Sequence, residues 1–130
     1  MLWTVKKGLF RVQQRVMKTA ATVLPFRTPA LLTGPGSVEQ LAENIAVREL
    51  RHVLVVTDKV LTDLKLPQTL LEALAARGVK HTVFDDVQAN PTIQNVEDGR
   101  AVYKDRRCDS IVGFGGGSPI DCAKIIGARV

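Results

Sequence analysis

The run Val53-Leu54-Val55-Val56 constrains the fold more than any other stretch of the chain. Side chains alternate between the two faces of a strand, so an unbroken apolar run needs an apolar layer on each side. Such strands belong to parallel sheets covered by helices on both faces. The chain from Ala30 onward supplies the matching parts. Ala30-Leu31-Leu32-Thr33 is predicted as a short strand and Gly34-Pro35-Gly36 as a turn. Ser37 is predicted to cap a helix reaching about Val47, with Val38, Leu41, Ile45 and Leu50 apolar. The strand His52–Val56 follows, then a short turn holding Leu61 and Leu64. A helix opened by Pro67 and ended by Gly78 leads to a strand from Val79 to Phe84. A helix from Thr92 to about Arg106, a strand at Ile111–Phe114, a glycine run and a helix from about Pro119 complete the order. Alternation of this kind implies an α/β fold, a Rossmann-like parallel sheet with flanking helices.

The charge is divided unevenly. Lys6, Lys7, Arg11, Arg15, Lys18 and Arg27 fall in the first 27 residues, which contain no acid; the remaining 12 basic residues face all 13 acidic ones. A pI near 9.6 thus reflects a basic tail on a neutral body. The body has no basic stripe interleaved with aromatics, so nucleic acid is not an expected partner. Residues 2–24 are predicted as an amphipathic helix, with Val5, Leu9, Val12, Val16, Ala20 and Val23 on one face. Pro25 and Pro29 end it. Three readings stay open for this segment: packing on the body or a partner subunit, contact with an anionic membrane surface, and organelle targeting. Cys108 and Cys122 form neither a disulfide framework nor a zinc ligand set, which fits a reducing, cytoplasmic setting.

In parallel sheets ligands sit at the carboxyl ends of the strands. Three strand ends carry chemistry. Gly115-Gly116-Gly117-Ser118-Pro119-Ile120-Asp121 stands between a strand and a helix. Glycines admit close backbone approach, and a helix start offers free N–H groups and a positive dipole end, together an anion site for a pyrophosphate. Ser118 is read as the helix cap and Asp121 as the capping-box acid; a plain tight turn is the alternative. Gly113-Phe114-Gly115 begins a G-x-G, but Ser118 replaces the third glycine of the usual dinucleotide fingerprint. Thr57-Asp58 follows the central strand: Asp58 either binds ribose hydroxyls and disfavours a 2′-phosphate, or simply caps the next turn. Asn90, in Ala89-Asn90-Pro91-Thr92, either meets a ligand at the same edge or belongs to a loop that starts a helix. His52 and His81 are read as strand-edge residues, Cys122 as packed, Asp85-Asp86 as a solvated loop, and Lys124 as either solvated or facing a phosphate.

The ordered set Leu32-Thr33-Gly34-Pro35-Gly36, Val55-Val56-Thr57-Asp58, Val83-Phe84-Asp85, Asn90-Pro91-Thr92 with Asn95-Val96, Tyr103-Lys104, Cys108-Asp109 and Gly115 through Lys124 resembles the iron-containing (group III) alcohol dehydrogenases. Polyol dehydrogenases and dehydroquinate synthases share the broader fold and a similar glycine run. The resemblance implies a dehydroquinate synthase-like α/β domain that binds NAD, joined in the family to a helical domain holding Fe2+ through one Asp and three His. It implies cofactor contacts at Asp58, Asn90, Gly116, Gly117, Ser118 and Asp121, hydride transfer between an alcohol or aldehyde and NAD, and a homo-oligomeric assembly. The expected organisation is residues 1–28 as a basic helix and linker and 29–130 as a partial dinucleotide-binding domain. On this reading no catalytic or metal-binding residue of the family falls within the chain, and the chain alone is expected to be inactive.

Overall fold

The computed structural model describes residues 29–130. The predicted amphipathic helix at 2–24 lies outside the described residues. Three parallel strands form the sheet: β1 (His52–Val56) in the middle, β2 (Lys80–Phe84) on one side and β3 (Ser110–Gly113) on the other. Five helices accompany them: α1 (Ser37–Val47), α2 (Lys59–Asp63), α3 (Gln68–Ala76), α4 (Ile93–Asp105) and α5 (Gly117–Arg129).

The alternation along β1 sorts the core into two layers. Val53 and Val55 pack with Ala42 and Ile45 of α1 and Leu70 and Leu74 of α3. Leu54 and Val56 pack with Phe84, Val96 of α4, and Cys122 and Ile126 of α5. Val53, Leu54, Val55 and Val56 are fully buried, which at roughly 1.5–3 kcal/mol for each large apolar side chain makes this strand a large contributor to hydrophobic stabilisation. Helices therefore cover both faces, as the unbroken apolar run required.

Local departures from the predicted elements have identifiable causes. No strand forms over residues 30–33: a strand needs a ladder partner, and this segment pairs with none of the three strands. The first helix begins at Ser37, but Gly36 holds the N-cap position with φ 81° and Ser37 makes no side-chain cap bond. The Gly34-Pro35-Gly36 turn itself leads into the helix through Ser37 N–H donating to Gly34 O at 3.2 Å. The turn holding Leu61 is a short helix, α2, because Asp58 caps it. The last helix starts at Gly117, two residues before Pro119. Pro67 and Thr92 flank their helices as predicted, and Gly78 follows α3 with φ 72°.

One carboxylate fastens β3 to β1. Asp109 accepts from the N–H of Arg51 at 2.7 Å and of His52 at 3.1 Å, while its own N–H donates to His52 O at 2.9 Å. Partial burial acts to raise the Asp109 carboxyl, but the N–H groups of Arg51 and His52 and the Ser110 hydroxyl outweigh it and hold the group below the usual carboxylate range. A depressed folded pKa stabilises the fold above the unfolded value, near 3.9, and that contribution is lost as pH falls through the folded value. Asp109→Asn is therefore expected to lower the urea midpoint at pH 7, and the gap from the native chain should narrow below about pH 4 in a pH series. Close packing yields a second expectation. A Cβ on Gly99 would lie 2.5 Å from Ile126 Cδ1 and 3.1 Å from the Phe84 ring, so Gly99→Ala should cost about 1–3 kcal/mol in urea unfolding.

Candidate functional site

After β1 the chain enters α2 and α3, and α3 lies in the layer with α1; after β3 it enters α5, in the layer with α4. The two connections thus diverge to opposite faces, and a crevice is left between the carboxyl ends of β1 and β3. Such switch points are the favoured ligand sites of open parallel sheets. The strand ladder continues to the rim of the crevice: Phe114 N–H donates to Val56 O at 2.8 Å, and Thr57 N–H donates to Phe84 O at 2.9 Å.

The glycine run forms the β3 side of this crevice. Gly115 has φ 134°, a backbone region that L side chains rarely adopt. A Cβ there would also lie 2.6 Å from Leu61 Cδ1, so α2 packs directly against the run. Gly116 occupies the N-cap position of α5. The N–H groups of Gly115, Gly116, Gly117 and Ser118 have no backbone acceptor among the described residues, and Pro119 has no N–H to place. The first satisfied donor is Ile120 N–H, on Gly116 O at 3.4 Å. These free donors stand at the positive end of a 13-residue helix, a geometry suited to an anion.

Two cap assignments need correction. Ser118 does not cap α5, because the helix starts at Gly117 and places Ser118 inside its first turn, where the hydroxyl no longer stands at the cap. Asp121 is not the acid of a capping box for the same reason. It is exposed and lies 3.7 Å from Lys124, so both belong to a solvated ion pair. Asp58 behaves as a cap: its Oδ1 accepts from Leu61 N–H at 2.9 Å. That bond uses one oxygen of a half-buried carboxylate standing at the β1 rim. Asp58 also forms an isolated antiparallel bridge with Asp86, which draws the loop after β2 toward it. Asn90 lies on that loop, exposed, with φ 59°. The fold therefore joins Asp58 to the glycine run through Leu61 and leaves Asn90 at the same edge, beyond β1.

Two residues that stand in the motifs without an assigned role matter here. Thr57 is fully buried at the end of β1, and its hydroxyl has no hydrogen-bond partner among the described residues. Asn95 is buried in the first turn of α4 and holds the Asn90 loop. Its Oδ1 accepts from Gln88 N–H at 3.3 Å and Thr92 N–H at 3.4 Å, and its Nδ2 donates to Asp86 O at 3.1 Å. Thr92 completes a capping box with it. The spacing Thr92-x-x-Asn95 could have revealed this, since it is the capping-box spacing with an amide in the third place. Cys122 is fully buried and burial raises its thiol pKa, as suits a packing residue. His52 Nε2 lies 2.9 Å from Thr82 Oγ1 at the amino ends of the strands. Among the described residues no group of three or more His, Cys, Asp or Glu is placed to hold a metal ion. Asn95→Ala should leave two N–H groups and a carbonyl unpaired, cost about 1–3 kcal/mol in urea unfolding, and speed amide exchange across residues 86–92.

Comparison with known proteins agrees with this fold. A family model described as iron-containing alcohol dehydrogenase matches residues 28–130. The 1,3-propanediol dehydrogenase of Klebsiella pneumoniae is 40% identical over 96 residues, 72% of this chain and 25% of that protein. The solved structure of a 1,3-propanediol oxidoreductase superposes with a TM-score of 0.67 at 38% identity, covering 70% of this chain and 24% of the other. The sulfoacetaldehyde reductase of Bifidobacterium kashiwanohense, solved in complex with NAD+, gives 0.64 at 28% identity over 70% of this chain and 24% of its own. The chain thus spans about a quarter of the length of the relatives it matches. With the family model matching the whole described region, the chain belongs to the iron-containing alcohol dehydrogenase family.

Proposed function

We propose that this chain forms the NAD-holding part of an iron-dependent alcohol dehydrogenase that moves a hydride between an alcohol–aldehyde pair and NAD. The observation that carries the reading is the room at Gly116 and Gly117. A Cβ on either would meet nothing within 4 Å, and neither has a positive φ. The fold itself makes no demand for glycine at these positions. A pyrophosphate approaching the free N–H groups does make that demand, because a side chain would occupy its place. The orphaned Thr57 hydroxyl at the rim is consistent with a ligand group nearby.

The roles follow from chemistry. Gly116, Gly117 and Ser118 would hold the pyrophosphate through backbone N–H groups. The second Asp58 oxygen would accept from a ribose hydroxyl. Asp58 and Asp86 form a bridge at the carboxyl ends of β1 and β2, while Lys59 pairs with Asp63 at 2.8 Å and lies 4.0 Å from Asp85; the negative charge that remains around Asp58 would repel a 2′-phosphate and favour NAD over NADP. Asn90 would line the same cleft, and Asp121 would stand on the solvent side of the helix that carries the cradle. The cofactor supplies hydride chemistry when bound; these residues bind and orient it. Residues 1–28 contain no His, Cys, Asp or Glu, and the described residues do not assemble a metal site, so no iron-dependent step is assigned to them. The alcohol or aldehyde would meet the cofactor outside this crevice.

Gly116→Ala tests the cradle. The thermal midpoint should stay within about 2 °C, the scale of a surface change, while calorimetric NAD affinity falls roughly tenfold or more. Equal NAD affinity in a folded variant would remove the cradle from the proposal. The chain by itself is expected to bind NAD without turnover; alcohol-dependent NADH formation by the purified 130-residue protein with ferrous iron would overturn that. Among the described residues no helix is long and apolar enough to cross a membrane. For residues 2–24 we propose packing on the body or a partner subunit. Liposome co-sedimentation of the chain with and without residues 1–27 tests it: equal pelleting supports packing, and pelleting lost with the segment supports a peripheral membrane anchor.

A further inference from the structure

The amino edge of the sheet, away from the glycine run, has a chemistry of its own. His52 and Lys80 are register partners at the starts of β1 and β2. Arg51 precedes β1, and Arg106 and Arg107 follow the end of α4. Together with Gly78 these five residues line one open cleft of roughly 520 Å³, and no carboxylate lines it. The body carries no excess of positive charge, so cations gathered here reflect placement, not composition. From this cleft we infer that Arg51, His52, Lys80, Arg106 and Arg107 form a second anion site, for a soluble small molecule bearing two or more phosphate charges.

Three observations support it. First, these cations are uncommitted. Among the described residues no carboxylate lies within 4.0 Å of the side-chain cationic group of Arg51, Lys80, Arg106 or Arg107. Arg77 at the same edge shows the structural alternative: it donates to Ala73 O at 3.0 Å and faces Glu43 at 3.9 Å. Second, the nearby acids offset only part of this charge. Asp109 keeps its negative charge while it accepts from the N–H groups of Arg51 and His52 and from Ser110, and Glu49 lines a neighbouring hollow with Arg77 and Arg51. Asp105, the last residue of α4, is exposed and makes no ion pair among those described. Third, Arg107 holds φ 53° in the position just past a helix end, a left-handed turn that Gly78 takes after α3 and that Glu49 and Lys65 take after α1 and α2. After α4 that turn leaves Arg107 beside Arg106 in the lining of the cleft. The volume falls in the range of small-molecule sites, and guanidinium groups match phosphate oxygens in geometry and charge.

Calorimetric titration of the 130-residue chain with tripolyphosphate, alongside NAD, separates this site from the glycine run. Binding should weaken as salt rises and should persist in Gly116→Ala. Arg107→Gly removes the cation and places glycine at the left-handed φ, so its thermal midpoint should hold or rise while tripolyphosphate affinity falls about five- to tenfold. The triple variant Arg51→Gln/Lys80→Gln/Arg107→Gly should lose measurable tripolyphosphate binding and leave NAD titration unchanged. No binding by the folded native chain, binding unaltered in the folded triple variant, or a lowered midpoint in Arg107→Gly with affinity intact would each overturn the inference. Failure of NAD binding alone would count against the glycine cradle and leave this site standing.

Discussion

Burial of β1 on both faces is the constraint on which everything else rests. Four consecutive side chains, Val53 to Val56, must find apolar partners above and below the sheet. That need places α1 and α3 on one face and α4 and α5 on the other. It also sends the connections from β1 and β3 to opposite faces, which opens the crevice between their carboxyl ends. The candidate site is therefore a by-product of how the core is satisfied. Asp58, Leu61 and Gly115 meet there because α2 follows the central strand directly and must pack somewhere at its end.

Most of the architecture was legible in the sequence, and the reasons are local. His52–Val56 was readable because period-two burial on both faces leaves an unbroken apolar run. Pro67, Gly78 and Thr92 marked helix boundaries through fixed φ, left-handed φ and side-chain capping. What failed also has physical causes. The stretch Ala30–Thr33 has strand-like residues, yet a strand exists only with a partner, and pairing is not written in one segment. Ser118 is a good capping residue, but the helix begins earlier, with Gly116 at its cap and Gly117 as its first residue, and no capping side chain marks that start. Thr57 and Asn95 were invisible as site residues because their importance lies in burial. A hydroxyl with no partner and an amide bonded three times are properties of a neighbourhood.

The two edges of the sheet divide the body's charge. Acidic residues gather beyond the carboxyl ends of β1 and β2, and cationic ones gather before the amino ends and just past the helix ends. Helix geometry favours this arrangement in part, since cations are stabilised beside the exposed carbonyls of helix C-termini. Arg48, Arg77 and Arg106 each occupy such a position. A chain that is nearly neutral beyond its first 27 residues can thus present two faces that would attract very different ligands.

The central position of β1 also bears on how the chain comes together during synthesis. Among the described residues β1 is the first strand to be made, and both of its neighbours follow it. Asp109, which fastens β3 to it, lies 58 residues from the Arg51 N–H that it binds. Until that length has emerged, the most apolar strand of the domain has one bare edge and one helical layer incomplete. Non-local pairing of this kind slows folding and leaves sticky surface exposed in the interval. The strand that makes the folded domain stable is thus the segment a nascent chain most needs shielded.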